Sequence, residues 1–257
     1  MTYPTWSDLD NESIVPPHGA RKGSELGSVA VMVSCEPDLK LIKSKITNPG
    51  ISPFFTSSLM TIQGSSKGAC IAGPFIGAPY ATMLLESLIA KGADKIIFLG
   101  WCGSVTDKLN IGDIILPYKS IIDEGTSANY KILDKKTPVS KPDLELMDKL
   151  SSHLRSNKND FKKATIWTTD AIYRETKKKV AYYKELGAHA VEMECSALFS
   201  VAQYRKVSIA GVLVVSDSVA SKDWDPGFRN KRFKQARKTA CDCVMTFAQK
   251  LCEPKIV

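Results

Sequence analysis

Two acidic segments of the sequence have the residue types and spacing of a catalytic or ligand-binding site. Glu192 and Glu194 stand two residues apart, directly ahead of an apolar stretch with helical spacing. This spacing can aim both carboxylates toward one side, although acidic residues also favour a helix N-terminus through the macrodipole alone. Asp217 follows Ser216 at the end of the most hydrophobic predicted strand, where it either caps the next segment or faces a ligand. The residues alone leave both alternatives open.

Segments that alternate between strand-like and helix-like patterns have to position these acids. Apolar, β-rich runs predict strands at Val29–Val33, Ala69–Gly73, Lys95–Leu99, Ile114–Ile122, Ala164–Thr168 and Val207–Val215. Helical spacing predicts helices at Leu39–Ile46, Ala78–Lys91, Pro142–Leu154, Glu175–Leu186, Met193–Tyr204 and Arg229–Leu251. The alternation is typical of the α/β class. We expect one domain, residues 28–257, preceded by an N-terminal arm, residues 1–27.

A glycine-rich segment directly follows the third predicted strand. Gly100, Trp101, Cys102 and Gly103 are predicted to form a turn at a strand's carboxyl end, where α/β sheets place their ligands. We therefore predict that all four residues bind substrate. The segment lacks the GxGxxG spacing, which argues against a dinucleotide-binding oxidoreductase.

Length and composition favour a cytoplasmic protein with a sizeable core. The chain has 257 residues, 44% of them hydrophobic, and starts with a polar segment rather than a signal peptide. No apolar run approaches the roughly 20 residues that cross a bilayer, so no membrane partner is expected. The seven cysteines are an odd number without CxxC spacing, so we expect neither a disulfide framework nor a metal site.

The formal net charge of +8 raises the question of a nucleic-acid partner. Basic residues cluster at residues 158–163, 177–179 and 231–238, on predicted turns and helices without a recognisable nucleic-acid motif. Solvated helix faces account for such clusters, so no nucleic-acid partner is predicted. A basic surface also attracts small anions such as phosphate.

The two acidic segments resemble the nucleoside phosphorylase and nucleosidase superfamily. They are Ala190–Ala202, with the sequence AVEMECSALFSVA, and Gly211–Asp217, with the sequence GVLVVSD. Weaker matches stand in the family's order at Pro17–His18, Val29–Val33, Gly100–Gly103 and Thr168–Asp170. The segment Trp224–Phe228, WDPGF, is most similar to the uridine-phosphorylase-like members.

The resemblance implies a single-domain, three-layer α/β/α fold with a mixed central sheet. It also implies cleavage of the N-glycosidic bond of a small-molecule nucleoside by phosphorolysis, which gives the free base and ribose 1-phosphate. Inorganic phosphate is then the co-substrate, and no further cofactor is expected. The family's architecture implies a homo-oligomer, either a dimer or a hexamer.

The resemblance also assigns roles to individual residues. Glu194 matches the carboxylate that binds the ribose 2′- and 3′-hydroxyls, and Met193, which follows Glu192 in the same segment, packs against the sugar. A carboxylate there orients the ribose and stabilises the positive charge that builds on it during bond cleavage. Asp217 matches the residue that protonates a purine base at N7, which requires it to hold a proton near neutral pH.

Base and subunit contacts are assigned in the same way. Ile172 and Tyr173 fall where family members stack the base, and Tyr173 is preferred because isoleucine has no aromatic face. Arg174 and Glu175 could read base edges, although Arg174 on a surface helix cap is an equal alternative. His18 matches a histidine that reaches the ribose 5′-hydroxyl in a neighbouring subunit, and an exposed histidine on the arm is the alternative.

The expected phosphate site departs from the family pattern. Phosphorylases carry Gly-Asp-Pro-x-Arg after the first strand, where this chain reads Cys35-Glu36-Pro37-Asp38-Leu39. A second expected arginine is Phe98, and an expected serine is Trp101. A dianion needs several donors or fixed positive charges, and these changes remove them.

Three functions therefore stay open at the sequence level. Phosphorolysis follows from the resemblance. Hydrolysis is the alternative, because the family's nucleosidases place a water-activating carboxylate where Asp38 falls, although an ordinary helix N-cap beside Pro37 is the somewhat stronger interpretation of Asp38. A non-catalytic nucleoside-binding protein is the third. Asp217 favours purines as substrates, whereas the WDPGF segment favours uridine.

Overall fold

A computed structural model describes residues 9, 13–18, 26–61, 68–134, 136–221 and 223–253. Most of the predicted N-terminal arm and the last four residues of the predicted domain lie outside these ranges. The described chain carries no helix of the length and apolar character that crossing a membrane requires.

The strands of the described chain belong to one mixed sheet. They are β1 (Val29–Val33), β2 (Gly50–Phe54), β3 (Ser57–Thr61), β4 (Cys70–Gly73), β5 (Lys95–Ser104), β6 (Ile114–Asp123), β7 (Val139–Ser140), β8 (Lys162–Thr169), β9 (Ala190–Glu192), β10 (Ser208–Ser218) and β11 (Asp225–Pro226). Their order is β11-β10-β6-β8-β9-β5-β1-β4-β3-β2, with β7 on β6. Because β10 also pairs with β5, the strands β10, β6, β8, β9 and β5 close into a ring.

Helices cover both faces of this sheet. They are α1 (Glu36–Lys43), α2 (Ala78–Ala90), α3 (Leu144–Ser156), α4 (Lys177–Glu185), α5 (Cys195–Arg205) and α6 (Lys231–Cys252). Leu84 of α2 and Phe199 of α5 share one core cluster, and Ile42, Leu150 and Phe247 of α1, α3 and α6 share the other. The predicted three-layer α/β/α fold with a mixed central sheet is confirmed.

Successive side chains of β1 face the two helical layers in turn, so this one strand packs against both. Ala30 and Met32 face the α2/α5 cluster, whereas Val29, Val31 and Val33 face the other. All five side chains are 0% exposed. Burying a side chain of this size contributes about 1.5–3 kcal/mol, which explains why the run is continuously apolar.

The predicted glycine-rich turn was wrong. β5 continues through it to Ser104, because Gly100, Trp101 and Cys102 pair with the β10 residues Leu213, Val214 and Val215. The segment is therefore a strand with glycines, not a loop. A Cβ at Gly100 would lie 2.8 Å from the Phe98 ring, so a glycine is needed for close packing.

Several predicted boundaries were also wrong. α3 begins at Leu144 rather than Pro142, because the Asp143 carboxylate accepts a hydrogen bond from Leu146 N and caps the helix. α5 begins at Cys195, two residues after the predicted start. α1 begins at Glu36, three residues early, with Pro37 in its first turn. The β2–β3 hairpin and the short strand β9 carried no clear sequence signal and were missed.

Candidate active site

The candidate site lies where the sheet divides. β1 pairs with β5 only as far as Val33 opposite Leu99. Beyond that point β5 pairs with β9 instead, with Gly103 opposite Val191. The carboxyl ends of parallel strands at such a division are where α/β proteins bind ligands.

Glu194 lies at the base of this division. It is 6% exposed, and its Oε1 accepts a hydrogen bond of 2.6 Å from Gly77 N. Gly77 is the N-cap of α2, so the carboxylate lies at a helix N-terminus, where the dipole favours negative charge. Burial, followed by the charge of Glu192, nevertheless raises the pKa of Glu194 to about 8.

Glu192 supports its neighbour from behind. Its Oε2 accepts hydrogen bonds of 2.8 Å from Glu194 N and from Cys195 N, and its Oε1 accepts one of 2.5 Å from Thr168 Oγ1. These bonds tie Glu192 to the protein itself. The structure therefore places it as a support that fixes the backbone of Glu194. Met193, between the two acids, is partly exposed.

Asp217 lies on the other side of β5. In the sheet register, Gly103 pairs with Val191 of β9 and with Asp217 of β10, so two interstrand spacings separate Asp217 from the chain that carries the two glutamates. The Asp217 Oδ1 accepts a hydrogen bond of 2.5 Å from Ser216 Oγ. A Cβ at Gly103 would lie 3.1 Å from Asp217 Oδ2, so the glycine makes room for this carboxylate.

Two further residues approach Asp217: Trp224, to which sequence reasoning gave no role in the site, and Glu175, which it placed near the base edges. Trp224 Nε1 donates a hydrogen bond of 2.8 Å to Asp217 Oδ2. Glu175 faces Asp217 from the turn after β8, and burial together with the charge of Asp217 raises the pKa of Glu175 to about 7. The Asp217–Glu175 pair thus includes one carboxyl that binds a proton near neutral pH.

Asp38 forms a closed unit with Trp101 and Arg237. It lies in the first turn of α1, where Cys35 rather than Asp38 is the N-cap, and is 1% exposed. Its Oδ2 accepts a 2.6 Å hydrogen bond from Trp101 Nε1, and its Oδ1 accepts one of 2.7 Å from Arg237 Nε. The guanidinium also lies 4.8 Å from the centre of the Trp101 ring. Burial raises the pKa of Asp38, and the Arg237 charge opposes that rise.

Arg237 was missed because it falls within a basic cluster that we interpreted as a solvated helix face. Its side chain is only 16% exposed. The helical spacing of Phe233, Ala236 and Ala240, all buried, places Arg237 beside the apolar face of α6 and could have identified it.

Two of the cysteine thiols, those of Cys35 and Cys102, lie near these charged groups. Cys35, at the end of β1, feels the charges of Asp38, Glu194 and Arg237, and burial raises its pKa to about 12. Burial also raises the pKa of Cys102, and the charges of Asp217 and Glu192 add to the rise. All seven cysteines are free thiols. Within the described ranges no group of three or more His, Cys, Asp or Glu side chains could hold a metal ion.

Other predicted site residues lie at the periphery. Ile172 and Tyr173 are 52% and 96% exposed, and Arg174 is exposed in the same short turn. His18 is exposed as well, with its ring 5.6 Å from that of Phe55. It lines a groove of about 930 Å³ beside α2, on the outside of the sheet hairpin.

The profile of the phosphorylase superfamily matches residues 28–249, and the chain belongs to this family. The resemblance predicted from the sequence is thereby confirmed at the level of the superfamily. Known members differ in substrate and in whether phosphate or water receives the sugar, as the relatives below illustrate.

Relatives of low identity include two phosphorylases and one uncharacterized protein. A DeoD-type purine nucleoside phosphorylase of Clostridium novyi is 25% identical over 79% of this chain and 88% of its own length. A guanosine phosphorylase of Halorubrum lacusprofundi is 27% identical, and the match covers 60% of this chain. An uncharacterized protein of Acanthamoeba polyphaga mimivirus is 33% identical over 55% of this chain. The matched regions span only 61% and 53% of the last two relatives.

Solved structures share the fold. A purine nucleoside phosphorylase of Toxoplasma gondii has a TM-score of 0.77 at 18% identity and covers 94% of this chain and 98% of its own. A uridine phosphorylase of Vibrio fischeri has a TM-score of 0.75 at 19% identity, with coverage of 93% and 100%. An AMP nucleosidase of Bacteroides thetaiotaomicron has a TM-score of 0.68 at 21% identity, with coverage of 88% and 90%.

Proposed function

We propose that this protein cleaves the N-glycosidic bond of a nucleoside and prefers purine nucleosides. The observation that carries the proposal is that the two strands paired with β5 at Gly103 are β9, which leads into Glu194, and β10, which carries Asp217. Two carboxyl groups in different environments can serve two different roles in one reaction.

Glu194 is proposed to bind the ribose. The pKa of Glu194 is raised to about 8, and the two ribose hydroxyls of a bound nucleoside would favour its ionised form, because a carboxylate accepts a hydrogen bond from each of them. Its negative charge also stabilises the positive character that develops on the sugar as the base departs. Gly77 N and the support from Glu192 hold the group in place before substrate arrives, so little reorganisation is needed.

Asp217 and Glu175 are proposed to act at the base. A departing purine needs a proton at N7, and general acids contribute about 10²–10⁴ in rate. Burial and the charge of Asp217 raise the pKa of Glu175 to about 7, so Glu175 can hold a proton near neutral pH beside Asp217. That supports purines over uridine.

Phosphorolysis is the first candidate for the transfer step. It is supported by similarity to a purine nucleoside phosphorylase over 79% of the chain. Near the end of β1, the described chain offers Arg237 as the cation that could meet a phosphate, but Arg237 contacts Asp38. Phosphate would therefore have to replace Asp38 as the partner of the guanidinium.

Hydrolysis is the second candidate, and a specific observation favours it. The buried Asp38–Arg237 pair has no net charge and would not attract a dianion. Asp38 is poorly placed to be a general base in this arrangement, because it is 1% exposed and paired with the Arg237 guanidinium, so water does not reach it. Water would then be activated by another group or attack the developing cation directly.

A cytoplasmic homo-oligomer is part of the proposal. The free thiols suit a reducing compartment. Met83 and Val15 are 50% and 77% exposed beside the groove that His18 lines, and apolar surface of this kind suits a second subunit. A dimer or hexamer would let His18 complete a neighbour's site, as predicted from the sequence.

Product analysis tests the proposal directly. Inosine, adenosine, methylthioadenosine and uridine are incubated with the protein, each with and without inorganic phosphate. A ribose 1-phosphate (5-methylthioribose 1-phosphate from methylthioadenosine) that forms only with phosphate supports phosphorolysis, and the free sugar at a phosphate-independent rate supports hydrolysis. Absence of base release from all four nucleosides in both conditions would refute cleavage, and calorimetry would then show whether the protein binds nucleosides without turnover.

A further inference from the structure

Trp224 is held next to Asp217 by the backbone that follows it. β11 pairs with the end of β10, so that Pro226 lies opposite Asp217. A Cβ at Gly227 would lie 2.5 Å from Ser216 O, which shows how closely the two segments approach. Because residues 225–227 are fixed in this way, the indole of Trp224 remains within reach of the carboxylate.

The hydrogen bonds of Asp217 differ in how easily they can be exchanged. The Ser216 hydroxyl that donates to Oδ1 is 4% exposed and belongs to the same strand. The Trp224 indole that donates to Oδ2 is 58% exposed and belongs to a connecting segment. Oδ2 is therefore the oxygen at which a ligand can replace a protein donor.

The Trp224 ring is supported on one side. It meets the Phe228 ring edge to face at 6.0 Å, and Phe228 lies 6.2 Å from Trp101. This row of rings limits how far the indole can move toward α6. More than half of the residue's surface stays open, which leaves room for a flat heterocycle against the ring.

We propose that Trp224 is the movable wall of the base subsite, where the N7–H formed as the purine base departs replaces the indole N–H as the donor to Asp217 Oδ2, and where the base stacks on the displaced indole ring. The inference rests on the proposed function, because it requires Asp217 to face the base. It gives the base platform to Trp224 instead of Tyr173, which is 96% exposed and lies in the turn after β8.

Two substitutions of Trp224 distinguish the contribution of its ring to base binding from that of its N–H group. Trp224→Ala removes both, and we expect KM for the best nucleoside to rise roughly 10- to 100-fold, since stacking on an aromatic ring contributes this much to base binding. Trp224→Phe keeps a ring, and we expect a rise below about fivefold, with kcat nearly unchanged in both variants. Ile132→Ala, which truncates another exposed apolar side chain, is the matched control.

Intrinsic fluorescence supplies a readout that a merely structural role would not move. Among the tryptophans in the described residues, Trp167 is fully buried and Trp101 is partly buried, so the exposed Trp224 should dominate their change in emission when a purine base binds. Trp6 lies outside the described residues, and its emission is present in both the wild type and Trp224→Phe. We expect wild-type emission to change on titration with hypoxanthine or adenine, and most of that change to disappear in Trp224→Phe.

The outcomes separate this inference from the proposed function. Turnover with an unchanged KM in Trp224→Ala, or an undiminished emission change in Trp224→Phe, overturns the role of Trp224 alone. If KM rises in Tyr173→Ala but not in Trp224→Ala, the base stacks on Tyr173, and the proposed role of Trp224 is wrong. A wild-type protein that neither cleaves nucleosides nor binds bases removes the proposed function together with this inference.

Discussion

Two indole–carboxylate pairs stand at the ends of the aromatic row formed by Trp101, Phe228 and Trp224. Trp101 Nε1 donates to Asp38 at 2.6 Å, and Trp224 Nε1 donates to Asp217 at 2.8 Å. The same hydrogen bond has different surroundings in each pair. Asp38 is 1% exposed and also contacts a guanidinium, whereas the second donor to Asp217 is a neutral hydroxyl.

This difference indicates which of the two carboxylates a substrate can reach. A buried carboxylate with a cationic partner is stable only while the partner stays, because an unpaired buried charge is costly. Asp38 is thus tied to Arg237. Among the described residues, the hydrogen-bond donors to Asp217 are the Ser216 hydroxyl and the exposed Trp224 indole, both neutral, so a ligand can reach this carboxylate.

Loss of Glu194, which belongs to neither pair, should have the largest effect on activity. Glu194→Gln keeps the size of the side chain and removes the charge that we propose stabilises the ribose. Charged hydrogen bonds contribute about 1.5–3 kcal/mol each, so the loss of two predicts a decrease in kcat/KM of about 10³-fold. The measurement is base release under conditions where circular dichroism confirms folding.

Glu185→Gln, an exposed change on α4, is the matched control for this substitution and should leave kcat/KM unchanged. If Glu194→Gln keeps kcat/KM within tenfold of wild type, the assignment of the ribose site is wrong.

Removing the partner of each carboxylate should show the next largest effect, now on stability. Arg237→Met leaves Asp38 buried without its cation, and we expect the free energy of unfolding to fall by about 3–5 kcal/mol. Trp224→Phe removes one donor from a partly exposed carboxylate, and we expect a loss below about 1 kcal/mol. Urea unfolding measures both values.

Lys238→Met provides the control, because Lys238 is the exposed neighbour of Arg237 on α6. Equal losses in Arg237→Met and Trp224→Phe would contradict the distinction between a closed and an open pair.

An effect smaller than that of Arg237→Met is expected from pH. The pKa values of Glu175 and Glu194 rise from 4.5 to about 7 and about 8, so the folded protein binds more protons than the unfolded chain between these values. The free energy of unfolding should therefore fall as pH rises from about 5 to 8. Glu175→Gln should remove about 1–2 kcal/mol of this decline, as measured by urea unfolding at several pH values. An unchanged slope in that variant would argue against the buried position of Glu175 beside Asp217.

The sequence predicted the fold class because the pattern of apolar residues along the chain determines which segments form strands and which form helices. β1 and β10 are buried on both faces and read as continuous apolar runs. The glycine-rich part of β5 was misread because glycines in a strand and in a turn look alike without knowledge of the neighbouring strand. β9 was missed because three residues give no period.

The site was only partly predictable. Short motifs near Glu194 and Asp217 indicated an active site. The contacts of Asp38 with Arg237 join residues 199 positions apart, and no local pattern contains that information. Sequence reasoning likewise cannot show that Tyr173 faces solvent while Trp224 reaches Asp217, because connecting segments have no period.

The ring of strands has a consequence for solubility during folding. A closed ring leaves its member strands with few unpaired backbone groups, so the described sheet keeps one long free edge at β2. Pro53 interrupts that edge, and a proline has no N–H to offer an approaching strand. Edge-to-edge association into aggregates, the usual hazard of a wide sheet, is thereby limited at the place where it would begin.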